Sequence, residues 1–313
     1  MSRSWLAPSS PDFVKPGSEW HTQVISPSKV AAILGVSRWE SPYRLWHRMK
    51  GLLNGEPESD RFMVGHAMEL AAAYIYREEH PGWRVSRGEV QVQTDMFGFP
   101  AVATLDRRAT KPIGRGNHYR VCEFKTTESL EDWGDQRTDQ APWDYMVQIT
   151  ALMGFSGYTE HPAHLLLLGP RISQHHEYEI PFAEDIWEWI LEDSAKFYHS
   201  LANDVPPPLD NSVATYQAVR DLHPDITRCV HDPKTKACCG VEVPPDLVHR
   251  ITDAQSEVLR WKDEERGAKT ELRVLMGNDQ HARVGDTIVA RRQNGRGGVA
   301  LVMTGAELPT GVS

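Results

Sequence analysis

The sequence feature that most constrains the fold is an acid–spacer–acid–x–lysine pattern carried on strand-like runs. Asp106 ends the run of residues 101–106, and Glu123 and Lys125 end the run of residues 118–125. Side chains alternate between the two faces of a strand, so Glu123 and Lys125 point to the same face. A neighbouring strand that ends at Asp106 can bring its carboxylate beside Glu123. The pattern therefore predicts two carboxylates and an ammonium group at one point of a sheet.

This combination suits a bound Mg²⁺ ion and a water molecule that attacks a phosphodiester. Carboxylate and carbonyl oxygens favour Mg²⁺, with Mn²⁺ as the natural substitute, over Zn²⁺. A structural interpretation stands beside this one: Asp106 as a turn residue, and Glu123 and Lys125 as an ion pair on one face. Strand interiors disfavour charge, and this favours the functional interpretation.

Composition sets the broad class of the protein. The chain has 313 residues, of which 40% are hydrophobic and 25% charged, as is ordinary for a soluble globular protein. A formal net charge of −9 counts against a surface covered in basic patches, so any nucleic-acid contact must come from a local groove. No apolar run approaches the length of a bilayer span, and no secretory signal is expected. Four cysteines, two of them adjacent, do not make a disulfide framework, so we expect a cytoplasmic protein.

The order of predicted elements indicates an α/β fold, namely an α+β mixed sheet flanked by helices. Helical patterns come first, including a long one over about residues 60–80. Three strand-like runs follow, at 85–93, 101–106 and 118–125, and then a helix over 142–155. A further strand comes next. Such an alternation is typical of a mixed α/β core.

Composition shifts divide the chain into four predicted segments. Residues 1–20 are rich in serine and proline and are predicted to form an irregular arm. Residues 21–205 form the predicted core, which ends at consecutive prolines that fit neither a helix interior nor a central strand. Residues 206–245 are predicted to be an irregular linker. Residues 246–313 are predicted to form a long helix and a β-hairpin across Asn294-Gly295.

Two further polar residues complete a constellation. Glu69 lies on the predicted long helix, and Gln148 interrupts the apolar face of the later helix. With these residues and this element order, the chain resembles the PD-(D/E)XK nuclease superfamily and, within it, the phage lambda-type exonucleases, or YqaJ-type viral recombinases. The resemblance covers about residues 20–205. Its supporting motifs are Ile25-Ser26-Pro27-Ser28-Lys29-Val30 with Gly35, Ser41-Pro42 before Leu45-Trp46, the segment from Gly65 to Glu69, the E-x-K tripeptide and the glutamine.

The resemblance implies a metal site. Asp106 and Glu123 would bind Mg²⁺ directly, with the carbonyl oxygen of Phe124 as a further ligand. Glu69 would hold a second ion or its water ligand. Taken alone, Glu69 would be interpreted as an ordinary solvated carboxylate, and only its place in the constellation favours the functional role.

The resemblance also implies roles for the catalytic lysine and glutamine. Lys125 would orient the attacking water or help to deprotonate it. Gln148 would position the lysine or the water. A glutamine within an apolar helix face has no evident structural purpose, and this supports a functional role.

The resemblance further implies digestion from a 5′ end, which requires a pocket for the terminal phosphate. Ser28, in a predicted first helical turn, is the candidate for that pocket, although a serine there can simply cap its own helix. Relatives commonly carry an arginine a few residues before this serine, after a Trp-His pair. This chain has Trp20-His21 but no arginine in the residues that follow, so either Arg38 substitutes for it or the end phosphate is held less tightly.

The function implied is a Mg²⁺-dependent exonuclease that degrades one strand of linear double-stranded DNA from 5′ to 3′. It would leave 3′ single strands for phage-type homologous recombination in a bacterial host cell. A ring-shaped homo-oligomer and a single-strand annealing protein are the expected partners. Two rivals are an endonuclease or repair nuclease of the same superfamily, and a non-catalytic DNA-binding scaffold protein.

Two segments leave alternatives open. Cys229, His231, Cys238 and Cys239 form a cluster of soft ligands, but their spacing matches no tetrahedral C-x-x-C pair. The C-terminal helix and hairpin have three interpretations: an oligomerisation seam, a docking site for a partner, or a rim that contacts DNA.

Overall fold

The structure is a computed structural model that describes residues 3–15, 17–55, 60–171, 174–227, 240–295 and 298–305, with only the backbone for 60–62 and 295. The chain divides into two units, Met1–Ile226 and Thr227–Ser313. Within the described residues, none of the helices is long and apolar enough to cross a membrane.

The first unit alternates helices and strands. The helices are α1 (Glu19–Gln23), α2 (Pro27–Ile33), α3 (Pro42–Met49), α4 (Asp60–Glu79), α5 (Trp143–Ser156), α6 (Glu184–Ala202) and α7 (Val213–Leu222). The strands are β1 (Ser4–Leu6), β2 (Arg84–Val85), β3 (Val90–Thr94), β4 (Ala101–Leu105), β5 (Arg107–Ile113), β6 (Gly116–Thr126), β7 (Ala163–Leu168) and β8 (His175–Ile180).

A five-stranded mixed sheet forms the centre of this unit. Its strand order is β2-β5-β6-β7-β8, with β6 and β7 parallel and the other pairs antiparallel. A parallel pair needs a crossover connection, and α5 supplies it between β6 and β7. A second sheet has the order β1-β3-β4.

Helices cover both faces of the central sheet. Val121, Leu165 and Leu167 pack in one buried cluster with residues of α2, α5 and α6. Alternate positions, including Phe124 and Leu166, pack in a second buried cluster with residues of α4. Strands that are buried on both faces have nearly continuous apolar sequences, and β7 is an example. The predicted α/β fold, a mixed sheet flanked by helices, is confirmed.

A single residue separates β4, in the second sheet, from β5, in the central sheet. β4 ends at Leu105 and β5 begins at Arg107, so Asp106 is the junction between the two sheets. The sequence did not indicate β5, because its arginines, lysine and proline give a weak strand signal. The predicted strand over 85–93 is also divided, since β2 joins the central sheet and β3 joins the second one.

Two of the predicted segment boundaries need correction. The N-terminal arm is not wholly irregular, because β1 pairs with β3 and Trp5 stacks on Tyr158 at 4.8 Å. Residues 206–245 are not wholly an irregular linker, because α7 packs on α3. The hydroxyl of Thr215 on α7 donates to Ser41 Oγ at 2.7 Å, and both residues are buried. The first unit therefore continues past the proline run.

The second unit contains a long helix, α8 (Pro245–Met276), and the strands β9 (His281–Val284), β10 (Thr287–Gly295) and β11 (Gly298–Met303). The three strands form an antiparallel sheet in the order β11-β10-β9. The predicted helix and hairpin are present, but Asn294 pairs with Val299 inside the ladder, so Asn294-Gly295 is not the turn itself. The Cys229, His231, Cys238 and Cys239 cluster lies outside the described residues.

The packing of α5 on α6 generates a stability prediction. A Cβ atom on Gly154 would lie 2.4 Å from Cε3 of Trp187, whose ring also contacts Phe155. We expect Gly154→Ala to lower the free energy of unfolding by about 1–3 kcal/mol, because the tryptophan must move in a packed core. Urea unfolding followed by tryptophan fluorescence measures the change.

A helical glycine with free space is the matched control. A Cβ on Gly65 of α4 would meet no atom within 4 Å, so Gly65→Ala should leave stability unchanged or raise it by up to about 1 kcal/mol. Equal stability of the Gly154→Ala and wild-type proteins would contradict the close packing against Trp187.

Candidate active site

The structure brings Asp106 to the strand that carries Glu123 and Lys125. Asp106 Oδ2 accepts a hydrogen bond of 2.7 Å from the backbone N–H of Phe124. β5 pairs with β6 only as far as Cys122, where it meets Arg107, so the edge of β6 beyond that point is open to the Asp106 side chain. The sheet junction thus places the first carboxylate beside the E-x-K tripeptide, as the sequence pattern predicts.

Glu123 is a buried carboxylate whose two oxygens have different surroundings. Its side chain is 3% exposed. Oε1 accepts from Lys125 Nζ at 2.6 Å and from Gln148 Nε2 at 2.9 Å. Oε2 is buried and has no hydrogen-bond partner among the described residues. A buried carboxylate oxygen without a partner is costly, so this atom points to a missing ligand.

Gln148 reaches the site because α5 covers the face of β6 that carries Glu123. The helix crosses from β6 to β7 and packs its apolar residues on the sheet. Gln148 is the amide residue on that inner face, and its side-chain N–H₂ fixes one oxygen of Glu123. The predicted glutamine is therefore joined to the predicted acid by a direct hydrogen bond.

Lys125 is held as an ammonium group by the acids around it. Burial alone would lower its pKa, but the Glu123 and Asp106 carboxylates outweigh burial and raise the pKa above its ordinary value. Its Nζ also lies 5.7 Å from the centre of the Tyr145 ring on α5. Lys125 is therefore positively charged in the metal-free protein and is directed at Glu123.

Glu69 joins the cluster from α4. Its carboxylate is 25% exposed and lies 3.5 Å from His66 Nδ1. Partial burial and the charge of Asp106 raise the pKa of Glu69. The charge of Glu69 in turn raises the pKa of Glu123, so Glu69 belongs to the same group of interacting acids. Hydrogen bonds link Asp106 to the E-x-K strand and Glu123 to Lys125 and Gln148, and Glu69 interacts with this group electrostatically.

Two residues of this cluster were not predicted from the sequence. Val90 pairs with Leu105 at the end of the antiparallel β3–β4 ladder, and Glu89 and Asp106 each flank this last pair. Burial and Asp106 raise the pKa of Glu89. Arg107, 4% exposed, donates to the backbone carbonyl of Asp106, and its guanidinium lies 6.0 Å from the centre of the Phe124 ring.

Only the pairing of β3 with β4 could have revealed Glu89. That pairing joins consecutive strands through the six-residue connection 95–100, and the sequence carries no tight-turn signal that would fix its register. Arg107 follows the predicted strand end at Asp106, and in the structure it begins β5.

The electrostatics of the cluster favour a cation. Burial and the charges of Asp106 and Glu69 raise the pKa of Glu123 to about 7, although Lys125 acts in the opposite direction. Several acids crowded together disfavour one another's ionised forms, and a divalent cation relieves this repulsion. The donor set is composed of hard oxygens, as Mg²⁺ and Mn²⁺ require.

Strand geometry also places the Phe124 carbonyl on the side of this cluster. The N–H of Thr127 donates to Leu168 on β7, whereas the N–H of Phe124 donates to Asp106. Because the N–H and C=O of one strand residue face the same neighbour, the Phe124 carbonyl is also directed to the side of Asp106. The residues present fit a metal site formed by Asp106, Glu123 and this carbonyl oxygen.

The two predicted substrate-binding residues lie in different surroundings. Arg38 is paired with Asp132 at 3.2 Å and Asp144 at 3.1 Å, and its guanidinium lies 5.5 Å from the same Tyr145 ring that Lys125 approaches. Arg38 therefore adjoins the cluster. Ser28 is exposed, and its Oγ lies within hydrogen-bond distance of Ser26 Oγ, at 3.1 Å.

The residue after Ser28 was not singled out from the sequence. Lys29 is 3% exposed, and its ammonium donates to the carbonyl oxygens of His21, Thr22 and Val24. Burial, with a contribution from Arg48, lowers the pKa of Lys29 to about 7. Lys29 thereby fixes the segment that precedes α2 and with it the position of Ser28.

Comparison with known proteins supports the family resemblance. Residues 18–159 match the family model of the YqaJ-like viral recombinase domain. The resemblance inferred from the sequence is confirmed. The matched span contains all eight of the predicted site residues, namely Ser28, Arg38, Glu69, Asp106, Glu123, Phe124, Lys125 and Gln148.

One curated relative is the uncharacterized protein YqaJ of Bacillus subtilis (strain 168). It is 26% identical over 147 residues, which are 46% of this chain and 43% of the relative. The match thus spans less than half the length of that protein.

Two solved structures are similar at low sequence identity. An alkaline exonuclease from Laribacter hongkongensis (LHK-Exo) has a TM-score of 0.43 and 15% identity, covering 58% of this chain and 90% of its own. The structure of SSO0001 has a TM-score of 0.40 and 14% identity, covering 68% of this chain and 86% of its own.

The raised pKa of Glu123 predicts a pH dependence of stability. The unfolded carboxyl ionises near its ordinary value of 4.5, whereas the folded one holds its proton until about pH 7. Unfolding therefore releases a proton in this window, and the contribution of Glu123 to stability falls as pH rises from about 4.5 to 7. In EDTA, wild type should lose stability relative to Glu123→Gln by up to about 1.4 kcal/mol per pH unit.

Urea unfolding at a series of pH values from 4 to 8 measures this difference. Glu192→Gln, a change of an exposed carboxylate on α6, is the control and should follow wild type in parallel. Parallel curves for wild type and Glu123→Gln would show that Glu123 ionises normally.

Proposed function

We propose that this protein is a Mg²⁺-dependent nuclease that hydrolyses phosphodiester bonds of DNA. The observation that carries the proposal is the state of the Glu123 carboxylate. One oxygen is held by Lys125 and Gln148, and the other is buried, without a described partner, at the end of the sheet where Asp106 lies. The match to the YqaJ-like viral recombinase domain supports the same chemistry.

In this proposal each residue has a defined task. Asp106, Glu123 and the Phe124 carbonyl would hold Mg²⁺. When bound, the ion would supply Lewis acidity that lowers the pKa of a water molecule and neutralises the scissile phosphate. Lys125 would orient the attacking water with its N–H groups and stabilise the negative charge that develops on the phosphate oxygens. Gln148 keeps Glu123 in a single orientation, so that its other oxygen stays directed to the ion.

The outer acids would serve a second ion. Glu69 lies on α4, and Glu89 directly precedes β3, whose Val90 pairs with the residue before Asp106. A pair of ions can stabilise both the attacking and the leaving oxygen of an in-line displacement. Even without direct coordination, Glu69 and Glu89 increase the negative potential that attracts divalent cations.

We further propose that the substrate is linear double-stranded DNA and that one strand is degraded from 5′ to 3′. Ser28 would contact the terminal phosphate. Arg38 borders a cleft of about 880 Å³ together with Trp39 and Lys196, and Trp39 is 66% exposed. A cationic guanidinium beside an exposed aromatic ring suits contact with a nucleic-acid strand.

The proposed biological setting is phage-type homologous recombination in the cytoplasm of a bacterial host. Degradation of one strand would leave 3′ single strands for an annealing protein, and a ring-shaped homo-oligomer would keep the enzyme on its DNA. The family match is to a viral recombinase domain, which is the support for this setting.

Hydrolysis of end-labelled linear duplex DNA tests the chemistry. We expect loss of one strand in Mg²⁺ or Mn²⁺ and none in EDTA. Lys125→Ala and Glu123→Gln should each lower the rate by about 100-fold or more, because each removes a group that acts on the reacting atoms.

Lys50→Ala is the control, since Lys50 pairs with Asp204 at the surface and should retain the wild-type rate. Digestion of closed circular DNA would indicate an endonuclease instead. Full activity of Glu123→Gln, or no hydrolysis in either metal, would exclude this site as the catalytic centre.

The preference for a 5′ end generates a separate prediction. Removal of the 5′ phosphate should slow wild type, and Ser28→Ala should abolish this difference while leaving activity on unphosphorylated ends unchanged. The measurement is the initial rate on duplexes that differ only in the end phosphate. Ser26→Ala tests the neighbouring hydroxyl, which bonds to Ser28. An equal phosphate effect in wild type and Ser28→Ala would remove Ser28 from the pocket.

A further inference from the structure

Two clusters of metal-ligating side chains lie outside the candidate active site in the described part of the chain. One contains His80, His164 and Glu177, and the other contains His118, Glu160 and His161. In each cluster the ligand atoms all lie within 4.8 Å of one another. Two imidazoles and a carboxylate form a donor set that differs from the hard oxygens of the Mg²⁺ site.

The first cluster is already satisfied by protein groups. Glu177 accepts from His80 Nε2 at 2.6 Å, and hydrogen bonds from His80 and His164 lower its pKa to about 2 against the effect of burial. The guanidinium of Arg120 contacts both ring nitrogens of His164, and the Tyr76 hydroxyl also lies 3.2 Å from its Nδ1. A bound cation would have to displace these contacts beside a permanent positive charge, so this cluster is an internal hydrogen-bond network.

The second cluster converges on a single point. His118 Nδ1 lies 2.9 Å from His161 Nε2 and 3.1 Å from Glu160 Oε1. A tetrahedral ion with bonds of about 2.0–2.1 Å holds its ligand atoms about 3.3 Å apart. The two pairs that His118 forms therefore need to separate by only a few tenths of an ångström to hold an ion, and the third pair of ligand atoms lies within 4.8 Å.

The surroundings of this cluster allow an ion to enter. Glu160 is 68% exposed and His118 is 24% exposed, so the site opens to solvent and leaves positions for water ligands. Trp83 packs edge-on against His161 at 5.7 Å. Two cations lie near this cluster: Lys111, which pairs with His118 across the β5–β6 ladder and lies 5.9 Å from the centre of the Trp83 ring, and Arg120, whose guanidinium lies 4.6 Å from the same ring.

We propose that His118, Glu160 and His161 bind a divalent transition-metal ion of the zinc class. Zn²⁺ accepts imidazole nitrogen and carboxylate oxygen in this geometry, whereas Mg²⁺ prefers oxygen ligands alone. Three protein ligands and a solvent position complete its usual coordination number.

The position of the site in the fold indicates a structural role. His118 lies near the start of β6, while Glu160 and His161 lie on the connection between α5 and β7. His118 is five residues before Glu123, or about 16 Å along a strand, too far to take part in phosphodiester hydrolysis. The ion would join β6, the strand that carries Glu123 and Lys125, to the segment that follows α5. Gln148 lies within that helix.

Zinc titration of the full-length protein tests the proposal. Because Cys229, His231, Cys238 and Cys239 offer soft ligands elsewhere, all proteins carry Cys229→Ser, Cys238→Ser and Cys239→Ser. Saturating Mg²⁺ occupies the oxygen site during calorimetry. We expect one Zn²⁺ per chain, and at least tenfold weaker binding in His118→Ala and in His161→Ala.

Matched variants separate this site from its rivals. His80→Ala and Glu123→Gln should bind Zn²⁺ as the parent does. Zn²⁺ should raise the midpoint of thermal unfolding in the parent and in His80→Ala but not in His118→Ala. Glu160→Gln changes only an exposed side chain, so it should weaken binding without loss of folding, as checked by circular dichroism.

Three results would overturn the proposal. The first is no Zn²⁺ binding by the parent protein that carries the three Cys→Ser changes. The second is binding that persists unchanged in His118→Ala, His161→Ala and Glu160→Gln. The third is binding that is lost in His80→Ala or Glu123→Gln, which would assign the ion to the internal network or to the oxygen site.

Discussion

The rest of the site depends on the burial of Glu123 between Lys125 and Gln148. An isolated carboxylate in a protein interior costs several kcal/mol, and the hydrogen bonds to one of its oxygens offset only part of this cost. The second oxygen stays without a described partner, and Asp106 and Glu69 add negative charge nearby. The metal-free protein is thus held in a state that a divalent cation would stabilise. The α5 crossover and the E-x-K strand have to pack closely because this one carboxylate needs groups from both of them.

The junction at Asp106 explains how the acids meet. A chain that continued straight along one strand would carry the Asp106 side chain away from β6. Instead, β4 ends in one sheet and β5 begins in another, so the side chain at the bend turns to the Phe124 N–H on the open edge of β6. The β3–β4 ladder ends with the Val90–Leu105 pair, which Glu89 and Asp106 flank. Arg107 lies immediately after the bend, and its buried guanidinium offsets part of the negative charge.

The sequence allowed prediction of those parts of the site that depend on local pattern. Alternation along β6 predicted the shared face of Glu123 and Lys125, and helical periodicity placed Glu69 and Gln148 on helices that pack against the sheet. Contacts set by strand register or by packing between distant segments could not be predicted in the same way. Glu89 takes its position from the β3–β4 register, and α7 falls in the predicted linker because its main packing partner, α3, is more than 160 residues earlier in the chain. The order of the elements, inferred from periodicity, supported the resemblance to a family but did not indicate these contacts.

The negative charge of the acidic cluster affects the order in which metal and DNA bind in the proposed reaction. Asp106, Glu123, Glu69 and Glu89 face Lys125 and Arg107, so the metal-free cluster repels a phosphate group. Divalent cations would reverse the sign of this surface, because each brings two charges to a point where acids already lie. In the proposed reaction, metal binding should therefore precede productive binding of DNA at the cluster. An acidic protein can act on a polyanion in this way without a broad basic surface, since the attraction is local and is created by the ions.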